Sequence, residues 1–102
     1  MQHYSSIESQ QHLNQVIKQN RAVLVYFRSL SCSVAGAVED KVPACALEAF
    51  PGIQLCLVDI QTLPDIAANF QVFVEPTLLV FLDGNESIRK SRSFSMLELE
   101  KE

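Results

Sequence analysis

The feature that most constrains the fold is the unbroken apolar run Val23-Leu-Val-Tyr-Phe27, which continues through Arg28-Ser-Leu-Ser to Cys32. β-Branched and aromatic residues without polar alternation predict a strand covered on both faces, and so a central place in a sheet. After Cys32 the pattern changes, with Val34, Val38, Val42 and Cys45 recurring at near-helical spacing. Cys32 therefore falls where a helix is predicted to begin. Unpaired backbone N–H groups and the positive end of the helix dipole at such a position favour a thiolate, which is the environment of a reactive cysteine.

The rest of the chain alternates in the same way. Ser5-x-x-Glu8 has the form of a capping box, and Leu13, Val16 and Ile17 form one apolar stripe, predicting an amphipathic surface helix over about 6–20. The helix after Cys32 is predicted to run to about Phe50 with a kink near Glu39–Pro43, because proline removes a backbone donor and crowds the preceding turn. Pro51-Gly52 ends it, and Ile53 to Val58 is a second continuous apolar strand. Thr62, Pro64 and Asp65 mark the start of a short helix carrying Ile66 and Phe70. Alternation of strand and helix argues for parallel neighbours joined by crossovers. Leu78–Leu82, the turn at Asp83-Gly84-Asn85 and Ser87–Ser93 then read as an antiparallel hairpin. Ser95-x-x-Glu98 is a second capping box, followed by too few residues for a helix stable on its own.

Taken together, these segments resemble the thioredoxin family over roughly 22–99. Phe27-Arg-Ser-Leu-Ser-Cys32-Ser-Val-Ala35 is similar to the family's active-site segment, in which Cys-x-x-Cys opens a helix. Leu57-Val-Asp59, Leu63-Pro-Asp-Ile-Ala67, and the stretch from Phe70 through Glu75-Pro76-Thr77 to Asp83-Gly84 follow the remaining pattern in order and spacing. The resemblance implies an α/β, thioredoxin-like fold in one domain, 1–102, with a central mixed sheet of about four strands flanked by helices.

It also implies a site. Cys32 would be the cysteine that attacks a disulfide, while the resolving cysteine's position is Ala35. Ala35 fits either a natural residue or an engineered replacement in a Cys-Ser-Val-Cys parent. Ser31 stands at the family's tryptophan position, Ser33-Val34 replaces Gly-Pro, and Tyr26 replaces the buried acid before the active-site Phe. Pro76 is expected in cis facing Cys32, exposing the backbone of Glu75 so that a substrate strand pairs beside the thiol. Glu75 either approaches Cys32, opposing its ionisation, or points to solvent. Substrate contacts are therefore expected at Ser31, Ser33, Val34, Glu75 and Pro76.

Composition narrows the classes. Eight basic against twelve acidic residues, net −4, with no basic patch, argue against a nucleic-acid partner. No apolar stretch approaches the roughly 20 residues that span a bilayer, and the first residues lack a signal-peptide pattern, so a cytoplasmic protein without membrane partners is expected. Cys32, Cys45 and Cys56 are spaced for neither a zinc site nor a disulfide framework, so no metal or cofactor is expected. Cys45 and Cys56 lie on apolar patterns and read as packing residues, and His3 and His12 as solvated side chains.

Two functions follow. The first is a single-cysteine thiol–disulfide protein forming mixed disulfides with disulfide-containing proteins or low-molecular-weight thiols, as a monomer or weak dimer. The second is a non-catalytic binding module that keeps the fold and peptide groove. A monothiol glutaredoxin fits less well, because Gly-Phe-Ser does not follow Cys32.

Overall fold

The structure is a computed structural model that describes residues 4–29 and 42–91. Among the described residues there are five strands in one sheet and three helices. The elements are β1 (Ser5–Ser6), α1 (Gln10–Gln19), β2 (Ala22–Arg28), α2 (Val42–Ala49), β3 (Gln54–Asp59), α3 (Pro64–Asn69), β4 (Thr77–Leu82) and β5 (Asn85–Ser91). The sheet order is β1-β3-β2-β4-β5. The first three strands are mutually parallel, and β4 runs antiparallel to both β2 and β5. This is the thioredoxin-like α/β sheet, with the two-residue β1 added to the four longer strands.

The apolar run is central because both its faces are covered. Val23, Val25 and Phe27 point to one side, where they pack with Leu13 of α1 and Ile66 of α3. Leu24 and Tyr26 point to the other, against Val42 and Ala46 of α2. All five strand residues have no measurable exposure. Alternate side chains of one strand thus feed two separate cores, which only an uninterrupted apolar sequence can do.

The first helix starts later than the capping box at Ser5 and Glu8 suggests. Ser5 and Ser6 pair with Cys56 and Leu57, and the Ile7 N–H donates to the Leu57 carbonyl at 3.0 Å, so the segment is committed to the sheet edge. Ser9 caps instead, its Oγ accepting from the His12 N–H at 3.0 Å, while the Glu8 N–H donates to His12 Nδ1 at 3.1 Å. His12, expected as a solvated side chain, is half-buried and also accepts a hydrogen bond within the cap. Leu13 is buried, with Val16 and Ile17 half-buried, so the apolar stripe holds. At the hairpin, Asp83 and Gly84 have φ of 52° and 84°, the paired positive values of a two-residue turn that matches strand twist. The second strand begins at Asn85, before the expected Ser87, and a bulge lies between Val80 and Phe81. The Glu39–Pro43 kink, His3 and the Ser95–Glu98 capping box lie outside the described residues, apart from Pro43 itself, which is buried in α2.

Cys45 is half-buried and Cys56 fully buried. Burial pushes the Cys56 thiol from its ordinary 9.0 up to about 11. The folded protein thus keeps a proton that the unfolded chain releases, so this contribution is intact below about pH 9 and lost as pH rises to about 11. Two pKa units correspond to about 3 kcal/mol. Urea midpoints should therefore fall more steeply across this alkaline window in the parent than in Cys56→Ala, and parallel losses in the two proteins would contradict the assignment.

Candidate functional site

The site is built where β2 ends. Phe27 pairs with Thr77, the first residue of β4, and the Ile60 N–H donates to the Arg28 carbonyl at 3.1 Å. The first places the loop preceding β4 beside the end of β2, and the second ties the residue after β3 to the same end. The Glu75–Pro76 peptide bond is cis, and Pro76 is buried. Thr77 is 1% exposed, its Oγ1 donating to the Val74 carbonyl at 2.7 Å.

Glu75 does not point to solvent. Its Oε1 accepts from the Ser29 N–H at 2.8 Å and from Ser29 Oγ at 2.7 Å, and Ser29 is 2% exposed. A carboxylate satisfying two donors on one buried residue forms a clasp between the end of β2 and the loop before β4. Beside it, Phe73 and Val74 are 81% and 45% exposed, an apolar lip next to a buried polar clasp.

A second tether fixes the approach to this loop. From β5, Arg89 donates to the Phe70 carbonyl at 2.6 Å and the Gln71 carbonyl at 3.2 Å, at the C-terminal end of α3 where the carbonyls lack helical partners. Gln71 has φ of 58°, the left-handed conformation that turns the chain out of the helix. Glu86 holds the guanidinium at 2.9 and 3.0 Å and raises its pKa.

Of the residues expected at the site, Glu75 and Pro76 are brought to the end of β2. Ser31, Cys32, Ser33, Val34 and Ala35 lie outside the described residues. Tyr26 is fully buried, its ring 6.0 Å from that of Tyr4, so an aromatic pair occupies the place where the resemblance expects an acid. Ser29 and Arg89 were not anticipated from sequence. Among the described residues, no group of three or more His, Cys, Asp or Glu could hold a metal ion, and no helix is long and apolar enough to cross a membrane.

A mixed sheet with helices on both faces, and a proline loop clasped to the end of its central strand, defines a thioredoxin-fold protein. The Thioredoxin family model matches residues 4–101, and the chain belongs to that family. It is similar to "Thioredoxin-like protein YdfQ" of Bacillus subtilis, 30% identical over 100 residues that cover 98% of this chain and 88% of the relative. It is similar also to thioredoxin of Mycobacterium tuberculosis, 35% identical over 69 residues, 68% of this chain and 60% of the relative. The match thus spans most of the first relative but less than two thirds of the second. Mitochondrial thioredoxin 3 of Saccharomyces cerevisiae has the same fold, with a TM-score of 0.85 at 21% identity, covering 96% of this chain and 91% of that one.

The clasp is testable as a unit. Glu75→Ala should cost about 1–3 kcal/mol in urea unfolding, since it strips the acceptor from two donors on a buried residue. Glu75→Gln should cost less, because its amide oxygen still accepts. A double-mutant cycle with Ser29→Ala should return a coupling of about 1 kcal/mol or more, and additive losses would show that the two side chains do not cooperate.

Proposed function

We propose that the chain is a single-cysteine thiol–disulfide exchange protein, acting as one domain, 1–102, with Cys32 as its nucleophile. The observation that carries this reading is the Glu75–Ser29 clasp, which holds the loop before β4 at the strand end three residues upstream of Cys32. Three residues span at most roughly 11 Å, so covalent geometry alone keeps Cys32 near Ser29. Family membership supports the chemistry, and the exposed Phe73 and Val74 offer apolar contact to a partner chain.

The step balances without an added oxidant. The Cys32 thiolate attacks one sulfur of a partner disulfide, a new S–S bond forms to Cys32, and the partner's other sulfur leaves as a thiolate. Ala35 has no sulfur with which to displace the bound partner, so an external thiolate attacks the partner's sulfur, forms a new disulfide with it and releases Cys32 as a thiolate. Ser31, Ser33, Val34, Glu75 and Pro76 would contact the partner. Partners are disulfide-containing proteins or low-molecular-weight thiols, and not nucleic acid or membrane. A reducing cytoplasm, which keeps cysteines out of disulfides, suits the reading, with the protein acting as a monomer or weak dimer.

A specific observation favours the second reading, a non-catalytic binding module: the fully buried Tyr26 puts an aromatic ring in place of the family's proton-transferring acid. Insulin reduction driven by dithiothreitol separates the two, with no rate above buffer favouring the module.

Incubation with oxidised glutathione should add one glutathione at Cys32, while buried Cys56 stays unmodified. The Ala35→Cys variant should instead close an internal disulfide with Cys32, seen by mass spectrometry as a loss of two hydrogens, because residues one helical turn apart bring the two sulfurs within bonding reach. Cys32→Ser should abolish both products. Free thiols in oxidised Ala35→Cys, or equal adduct on Cys32→Ser, would remove Cys32 as the redox nucleophile.

A further inference from the structure

At the opposite end of β2 from Ser29, a cleft of about 650 Å³ opens between the last turns of α1, the start of β2 and the Asp83–Gly84 turn. That volume lies within the roughly 300–1,000 Å³ of small-molecule sites. Ile17, Phe70 and Phe81 supply its apolar lining, with the Phe70 and Phe81 rings edge to face at 5.6 Å. Such a surface suits a flat hydrocarbon ring and gives a bare phosphate little to pack against.

The polar groups around it set the sign of the ligand. Three acceptors are already engaged, with Asn20 Nδ2 donating to the Val16 carbonyl at 2.8 Å, the Asp83 N–H to the Arg21 carbonyl at 2.8 Å, and Gln10 Nε2 to Asn14 Oδ1 at 2.9 Å, and Asp83 is the single acidic side chain in the lining. The cations are much less engaged. Lys18 has no ion-pair partner among the described residues, and Arg21 meets Asp83 only at 3.8 Å, with its side chain 95% exposed. An exposed pair of that kind is weak, so an incoming anion displaces it at little cost. The C-terminal carbonyl end of α1 opposes a negative charge here, and Lys18 in its last turn offsets that. In a chain of net charge −4, Lys18 and Arg21 against the one Asp83 carboxylate leave the rim of this apolar cleft locally positive, a place for an anion.

We infer that this cleft binds a small aromatic carboxylate, with the ring against Ile17, Phe70 and Phe81 and the carboxylate between Lys18 and Arg21. The site is remote from Glu75 and Pro76 and independent of any thiol chemistry there.

The test is a titration of the full chain with 2-naphthoate, followed by amide ¹H–¹⁵N shifts, with the neutral 2-naphthamide as comparison and Lys18→Gln/Arg21→Gln as variant. Both substituted side chains are exposed, so the variant should keep the parent spectrum away from the cleft. The expected result is saturable shifts confined to residues 14–21, Phe70 and 81–84. Naphthoate should bind roughly fivefold or more tightly than naphthamide, the size of one or two exposed charge contacts, and this preference should vanish in the variant. Equal affinity for acid and amide, a preference retained in the variant, shifts centred elsewhere, or no saturation in the millimolar range would each overturn the inference.

Discussion

Everything in this structure depends on a strand that must be buried on both faces. Val23 through Phe27 present five large side chains in a row, and none retains measurable exposure. Each such burial is worth about 1.5–3 kcal/mol relative to exposure, so the run contributes on the order of 10 kcal/mol, comparable to the whole net stability of a small domain. A strand with that demand needs a neighbour on each edge and helices on each face. β3 and β4 meet the first requirement, and α2 on one face with α1 and α3 on the other meet the second. The parallel β3 requires a crossover, and the chain between β2 and β3 supplies it through α2.

The candidate site inherits its position from that strand. Because β4 is antiparallel to β2 in a register that opposes Phe27 to Thr77, the residues just before β4 must fall beside those just after β2. Hydrogen bonding to a carboxylate then fixes the juxtaposition. The Glu75–Ser29 bonds, at 2.7 and 2.8 Å with a buried donor residue, belong to the stronger class of charge-assisted contacts. By contrast the Arg21–Asp83 pair, at 3.8 Å and solvated on both sides, adds almost nothing to stability. Arg89 completes the arrangement by tying the end of α3 to β5, so the loop from Gln71 to Pro76 is anchored at both ends while Phe73 stays exposed between the anchors.

These magnitudes also explain what could be read from the sequence. The three long core strands, the helix stripe at Leu13, Val16 and Ile17, and the Asp-Gly hairpin were legible because each is a periodic or local signal written in neighbouring residues. β1 was not, since Ser5 and Ser6 are exposed and polar and join the sheet only through backbone bonds to β3. The same pairing moved the helix cap from Ser5 to Ser9, a tertiary contact overriding a valid local motif. The Glu75–Ser29 clasp joins residues 46 apart, and Arg89 reaches back 18 and 19 residues. Side-chain contacts at such separations leave no periodicity, so Glu75 could be placed at the site by resemblance while its partner could not.

The cysteines show how burial sorts residues of one type into different chemistry. Cys56, sealed in β3 with its thiol pushed up to about 11, is almost wholly protonated near neutral pH and is screened from reagents. It behaves as a small apolar side chain, and Cys45, half-buried on α2, packs against the opposite core. On the proposed chemistry this leaves Cys32 as the sulfur that exchanges, and the absence of a sulfur at position 35 sets the consequence. In a two-cysteine site the bound partner is expelled by an intramolecular attack whose effective concentration is high, so the mixed disulfide is brief. With Ala35 the same adduct waits for a thiol from solution, and its lifetime scales inversely with that thiol's concentration. On that proposal, catalysis and binding are two ends of one scale: abundant external thiol would make the chain an exchange protein, and scarce thiol a covalent trap, with the exposed Phe73 and Val74 as the proposed contact for its partner.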